Sequence, residues 1–222
     1  FAWFSQAEGK PAPAAVAANS RVAPDLFSFL PVENTITEPA DSVQETPFIR
    51  TIKDTPHKYH LAVTPEETEK LGALLMQQPS FCFDTETTGL NAHESELVGI
   101  SFCWQPGEAW YVPLPDNYQE AVHILEKFKP ALAAGHIEKI GQNLKFDISM
   151  LKWYETDVHG PLFDTMLAHY LIQPDMRHNM DLLAETYLGY KPVAIEELIG
   201  KKGQNQLSMR TVDLETIKEY AA

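Results

Sequence analysis

From Lys58 onward the hydrophobic and polar positions change rhythm in a regular way. Lys58 to Val63 alternates with a period of two, which predicts a short strand. Thr64-Pro-Glu-Glu67 then opens a helix: Thr64 is placed to cap it, Pro65 takes the first helical position, and Glu67 closes a capping box. That helix is expected to run to about Gln77. Phe81 to Thr85 is a compact buried strand, and Leu97–Trp104 and Glu108–Pro113 are two more, joined by the tight Gln105-Pro-Gly107. Three such strands in succession predict a meander. The pattern then turns helical over about Gln119 to Ala134, gives a short strand at Lys139 to Gly141, and returns to helix from Phe146 to Tyr154. Phe163-Asp164 precedes a helix that must stop before Pro174; Asp181 to Tyr187 and Val212 to Ala222 read as further helices. There is no internal repeat. A meander followed by strand–helix alternation predicts an α/β fold around a sheet of mixed direction, flanked by helices.

Composition divides the chain in two. Residues 1–56 are rich in Pro, Ala, Ser, Thr and Glu, a mixture that buries little surface and suits a linker, with Phe27, Phe29, Leu30 and Phe48-Ile49 as apolar exceptions able to dock. Residues 57–222 form the expected domain. The chain begins with Phe1, which suggests a piece of a longer protein. No apolar run reaches the ~20 residues that span a bilayer, and no signal peptide opens the sequence, so no membrane partner is expected. Cys82 and Cys103 both lie in strand-like apolar runs and read as buried free thiols in a reducing, cytoplasmic setting. The formal net charge of −14 argues against a strong free-standing nucleic-acid binder, because that affinity comes mainly from Lys and Arg on phosphates. It leaves room for an enzyme that touches nucleic acid through metal ions while a partner domain holds the duplex.

Two segments carry candidate chemistry. In a strand, residues two apart share a face, so Asp84 and Glu86 present carboxylates side by side at a strand end. Paired anions are costly unless a cation lies between them. Asp-x-Glu at such a place is also what a plain exposed acidic turn looks like. The second segment is Gly141-Gln-Asn-Leu-Lys-Phe-Asp147, where a short strand delivers polar side chains and Asp147 enters the first turn of a helix. Taken singly, Asp147 is an acid complementing the helix dipole and Asn143 a cap. The crowding of Gln142, Asn143, Lys145 and Asp147 is less well explained that way.

Together the blocks resemble a known family. Phe-Asp-Thr-Glu-Thr at 83–87 and the 141–147 segment are similar to the first two motifs of DEDD-type 3′–5′ exonucleases. Phe-Asp-Thr-Met-Leu-Ala-His-Tyr-Leu-Ile-Gln-Pro (163–174), Asn-Met-Asp-Leu-Leu-Ala-Glu (179–185) and Gly-Lys-Lys-Gly-Gln-Asn-Gln-Leu-Ser (200–208) narrow the likeness to the proofreading domain of bacterial family A DNA polymerases. The resemblance covers roughly 58–222. It implies a ribonuclease-H-like fold and removal of nucleotides from the 3′ end of single-stranded DNA, in a monomer with a polymerase domain C-terminal to it. It further implies that Asp84, Glu86 and Asp147 bind two divalent cations, Mg²⁺ or Mn²⁺, and that Thr85, Leu90, Gln142 and Asn143 contact substrate. Tyr220 matches the tyrosine that helps orient the attacking water. The fourth carboxylate of the family lies four residues beyond that tyrosine, and the sequence stops at Ala222, so little activity is expected of this chain by itself. Two alternatives stay open: a degenerate module that only supports a polymerase, and a stand-alone DEDD ribonuclease.

Other residues have plainer expectations. His123, His136, His169 and His178 show no ligand spacing and read as surface or helix-face histidines. Asp164 is expected to cap the helix after it. Trp104, Trp110, Tyr111 and Trp153 read as core or rim packing, and Lys201-Lys202 as a solvated turn with a phosphate contact as the rival reading.

Overall fold

A computed structural model describes residues 49–203 and 206–222. Among them, six strands form one sheet in the order β1-β4-β3-β2-β5-β6: β1 (Lys58–Leu61), β2 (Ser80–Thr87), β3 (Leu97–Gln105), β4 (Glu108–Pro113), β5 (Glu138–Gly141) and β6 (Leu162–Asp164). The expected meander is β2-β3-β4, antiparallel throughout. β1 joins β4 in parallel, and β5 and β6 extend the sheet in parallel beyond β2. The mixed α/β architecture read from the sequence is therefore what the chain forms.

Helices cover both faces because β2 and its neighbours are apolar on both. Phe81 and Phe83 point to one side, into a core shared with α1 (Pro65–Leu75), α2 (Tyr118–Leu125), α3 (Lys129–Leu132) and α4 (Leu144–Trp153). Phe102 joins that core, packing on Phe81 and Phe128 with ring centroids 5.9 and 5.0 Å away. On the opposite face, α7 (Ile195–Ile199) and α8 (Leu214–Ala221) bring Ile199, Ile217 and Ala221 onto Val98 and Tyr111. Ala222 packs there with Cys82, Cys103 and Ala109, and both thiols are free and buried. Outermost are α5 (Thr165–Ile172) and α6 (Met180–Leu183), which runs on into a π turn over Ala184–Leu188.

The helix starts follow their caps. Thr64 Oγ1 accepts the Glu67 N–H at 3.2 Å and Glu67 accepts the Thr64 N–H at 2.9 Å, the reciprocal pair the sequence predicts. One expectation fails: the helix from Gln119 to Ala134 is two helices, α2 and α3, with a break at Glu126–Phe128. Pro130 is the reason, since it has no N–H to give and its ring crowds the preceding turn, so the chain restarts with Pro130 in the first turn of α3. Another sharpens: α4 begins at Leu144, two residues before the expected start.

The linker-like reading of the N-terminal stretch falls mainly on residues 1–48, outside the described residues. At its end, Arg50 pairs with Tyr190 in an isolated parallel bridge, held by Arg50 N–H to Gly189 O and Lys191 N–H to Arg50 O, both 2.8 Å. Among the described residues no helix is long and apolar enough to cross a membrane.

Candidate active site

β2 is a central strand whose far half loses one neighbour. β5 pairs with it in parallel only as far as Cys82↔Ile140 and stops at Gly141. A side chain on Gly141 would put its Cβ 2.4 Å from Leu144 and 3.1 Å from the Phe83 carbonyl, so only glycine lets α4 fold back this tightly. The edge of β2 past Phe83 is thus left open to α4. Asp147, in the first turn of α4, fills the place of the missing strand: its Oδ1 accepts the Thr85 N–H at 3.0 Å and the Thr85 hydroxyl at 2.6 Å. An N–H that would otherwise be orphaned is satisfied by a carboxylate.

Asp84 and Glu86 project from the other face of β2, the face they share with Cys82. Both keep part of their surface open, while Asp147 is 2% exposed. Both line a cleft, and burial is the main reason their carboxyl groups resist ionisation. Asp84 is held well above the ordinary carboxylate range by burial, then by Asp147 and Glu86. Glu86 is pushed up to about 8 by burial and by Asp147. Asp147 rises to about 6, burial outweighing the two Thr85 hydrogen bonds that favour its charged form.

Tyr220 on α8 completes the arrangement. It lines a cavity of about 100 Å³ with Asp84, Glu86, Asp181 and Glu219 and with apolar residues such as Leu188 and Val193. Its hydroxyl is raised far above the ordinary tyrosine value by burial, then by Glu86 and Asp84, so it remains a donor. Tyr111 lies on the same side, its ring filling the space left by the absent side chain of Gly99, the residue paired with Glu86.

Among the described residues no three His, Cys, Asp or Glu side chains converge as a ready cage. What the site offers is a donor set: two partly open carboxylates repelling each other, a third beside them, oxygen atoms only. Such a set suits hard divalent cations such as Mg²⁺ or Mn²⁺ and does not suit zinc.

The remaining residues named from the sequence fall in different places. Thr85 turns its side chain into the core and gives it to Asp147. Leu90 stands 89% exposed on the loop after β2. Gln142 donates to the His178 carbonyl at 2.6 Å and accepts from the Thr165 hydroxyl, which ties both ends of its amide to the loops around α5. Asn143 occupies the cap position of α4 in a left-handed conformation (φ 62°), with no side-chain cap. Tyr111 is fully buried, Trp104 stacks on Trp110 at 4.1 Å, and Trp153 lies at the surface. Lys201 and Lys202 are exposed.

Asp164 caps α5 as expected, accepting the N–H groups of Met166 and Leu167. His169 departs from its expectation: it is buried, with Nδ1 2.6 Å from His178 Nδ1 and Nε2 3.0 Å from the Tyr187 hydroxyl. No ligand spacing marks this cluster because its members meet only after α5 and α6 pack. The one available signal was a polar residue amid Met-Leu-Ala-His-Tyr-Leu-Ile, an apolar helix.

A family model described as 3′-5′ exonuclease matches residues 59–222. DNA polymerase I of Pseudomonas aeruginosa is 38% identical over 149 residues, covering 63% of this chain and 16% of the relative. DNA polymerase I of Borreliella burgdorferi is 33% identical over 177 residues, covering 78% of this chain and 19% of the relative. The chain thus spans less than a fifth of these relatives' length. Among solved structures, Brucella melitensis NrnC with bound Mg²⁺ aligns with a TM-score of 0.55 at 18% identity, covering 75% of this chain and 74% of that one, a likeness of fold.

Proposed function

The chain belongs to the 3′-5′ exonuclease family, and from that footing we propose that it is the proofreading module of a longer DNA polymerase, hydrolysing nucleotides from single-stranded DNA 3′ ends. The observation that carries this reading is the juxtaposition of the Asp84 and Glu86 carboxylates on β2 with Asp147 of α4 beside them and Tyr220 lining the same cavity as Asp84 and Glu86. Three carboxylates that burial, with repulsion from neighbouring carboxylates, holds away from ionisation form an unfavourable arrangement for a protein alone. They suit two divalent cations, which Asp84, Glu86 and Asp147 would hold. When bound, such ions activate water and stabilise the leaving 3′ oxygen.

The chain's own residues do the rest. Thr85 holds the Asp147 carboxylate in one orientation through two hydrogen bonds. Tyr220, kept protonated, donates toward the attacking water and orients it. Leu90, 89% exposed, offers an apolar surface for the terminal base, and Gln142 and Asn143 stand on the turn into α4. The free thiols of Cys82 and Cys103 favour a cytoplasmic setting.

A polymerase partner is supported by α5, which buries Thr165 and His169 and leaves Leu167, Leu171 and Ile172 at 62, 82 and 71% exposure. With Phe163 on β6, half exposed, they make an apolar face of the kind another part of a longer chain covers.

The test is cation-dependent release of mononucleotides from the 3′ end of single-stranded DNA. It compares this chain, Asp84→Ala, and a form lengthened C-terminally by about ten residues of the parent sequence, some three helical turns past Tyr220. The lengthened form is expected to be active and Asp84→Ala inert. A folded, lengthened protein no faster than Asp84→Ala overturns the reading.

A further inference from the structure

Asp164 makes more bonds than a helix cap needs. It ends β6 opposite Gly141, where β5 gives way to α4. Oδ1 accepts Met166 N–H at 2.9 Å and Leu167 N–H at 3.2 Å, the ordinary bonds of a cap to its own helix. The same oxygen accepts Asn143 N–H at 3.1 Å, and Oδ2 accepts Leu144 N–H at 2.9 Å, both across to α4. Asn143 provides no side-chain cap of its own, and its left-handed backbone sets two successive N–H groups on one carboxylate. The start of α4 is therefore fastened from outside, by a residue on another strand.

The first turn of α4 carries Asp147, whose carboxylate must reach Thr85 on β2. We infer that Asp164 is a positioning residue: by tying the N-termini of α4 and α5 to one carboxylate, it fixes where Asp147 stands against β2. Besides this tie through α4, its charge bears on Asp147, whose carboxyl it helps to hold toward the neutral form. The inference deepens the proposed nuclease site and rests on that reading for its consequence, a weaker cation site when the tie is cut.

Asp164→Ser separates the two tasks. Serine is a good cap for α5 but is one atom shorter and lacks the second oxygen that reaches Leu144. Asp213→Ser is the matched control, because among the described residues the Asp213 carboxylate bonds within its own helix, to the N–H and hydroxyl of Thr216. Two quantities are measured: exchange of the Thr85 amide relative to that of Ile100 on β3, and Mn²⁺ binding by calorimetry. Asp164→Ser is expected to speed Thr85 exchange about tenfold relative to Ile100 and to weaken Mn²⁺ about tenfold, the scale of losing a group that orients a ligand. Asp213→Ser is expected to change neither ratio. If Asp164→Ser leaves Thr85 protected and Mn²⁺ binding intact, Asp164 is a cap and nothing more. Should the serine variant not fold, Asp164→Asn decides on the same two readouts, since its amide sets an N–H against one of the donors. A C-terminally lengthened chain that takes up no Mn²⁺ overturns the nuclease reading, while Thr85 exchange still settles the role of Asp164.

Discussion

Asp147 and Thr85, 62 residues apart, are joined twice through one oxygen: Oδ1 of the aspartate accepts both the backbone N–H and the hydroxyl of the threonine, at 3.0 and 2.6 Å. This contact closes the gap left where β5 ends. It also opposes the burial that drives the Asp147 carboxyl toward its neutral form. Thr85→Val removes the hydroxyl and preserves the shape. It is expected to cost roughly 1–2 kcal/mol, as for one buried hydrogen bond to a charged acceptor. It should also move the pH midpoint of Mn²⁺ binding upward, because Asp147 then ionises less readily. Urea unfolding and calorimetry at several pH values check both. Unchanged stability with an unchanged midpoint would mean the hydroxyl does not hold Asp147.

The raised carboxylates also dictate how the cation-free chain responds to pH. A carboxyl whose folded value lies above its unfolded one binds more protons in the folded state, so its contribution is present at low pH and lost as pH rises. Glu86 sets the window, from its ordinary 4.5 to about 8. Asp147, at about 6, titrates inside it. Without divalent cations, Tm is therefore expected to fall across this range, and Glu86→Gln to flatten the decline. Mg²⁺ should raise Tm more at the top of the window than at its foot, since it binds the ionised groups. Thermal scans with and without Mg²⁺ test this, and a cation-free Tm that climbs through the window contradicts it.

How far the sequence was legible follows the range of each interaction. Asp84 and Glu86 could be placed on one face from the two-residue period alone, and the Thr64–Glu67 box is local enough to read directly. The Pro130 break was also in the sequence and was overridden by the apolar periodicity on either side of it. Asp147 is another matter. Its tie to Thr85 exists only because β5 stops early, which depends on how residues 58 apart pair, as Cys82 does with Ile140. The second half of the Asp164 cap, the His169–His178–Tyr187 cluster and the two-ended hydrogen bonding of Gln142 are likewise products of packing. For α5, local pattern misleads outright. Its apolar residues define a face, yet among the described residues that face is the outer one, and a histidine lies within.

That inversion makes a prediction of its own. Among the described residues Leu171 stands 82% exposed, so Leu171→Lys is expected to change the stability of this chain by no more than about 0.5 kcal/mol. In a longer polymerase chain that covers α5, the same substitution buries an unpaired charge and should cost several-fold more. Chemical unfolding of both forms makes the comparison. Equal effects in the two would mean that α5 stays uncovered in the longer protein.

Tyr220 offers the sharpest separation of chemistry from packing. Its ring lines the cavity beside Asp84 and Glu86, and burial together with those two carboxylates keeps the hydroxyl protonated at any working pH. Tyr220→Phe leaves the ring in place and removes only the donor. If that donor orients the attacking water, the loss falls on the hydrolytic step: kcat is expected to drop about a hundredfold, the usual scale for one donor aimed at a reacting centre. KM for a single-stranded 3′ end should stay near its original value, because binding does not use the hydroxyl. Mn²⁺ affinity should be unchanged too, since the phenol is not among the carboxylate ligands. Measured in the C-terminally lengthened form, a fall in kcat alone supports this assignment. A rise in KM with kcat preserved would instead make Tyr220 a substrate contact.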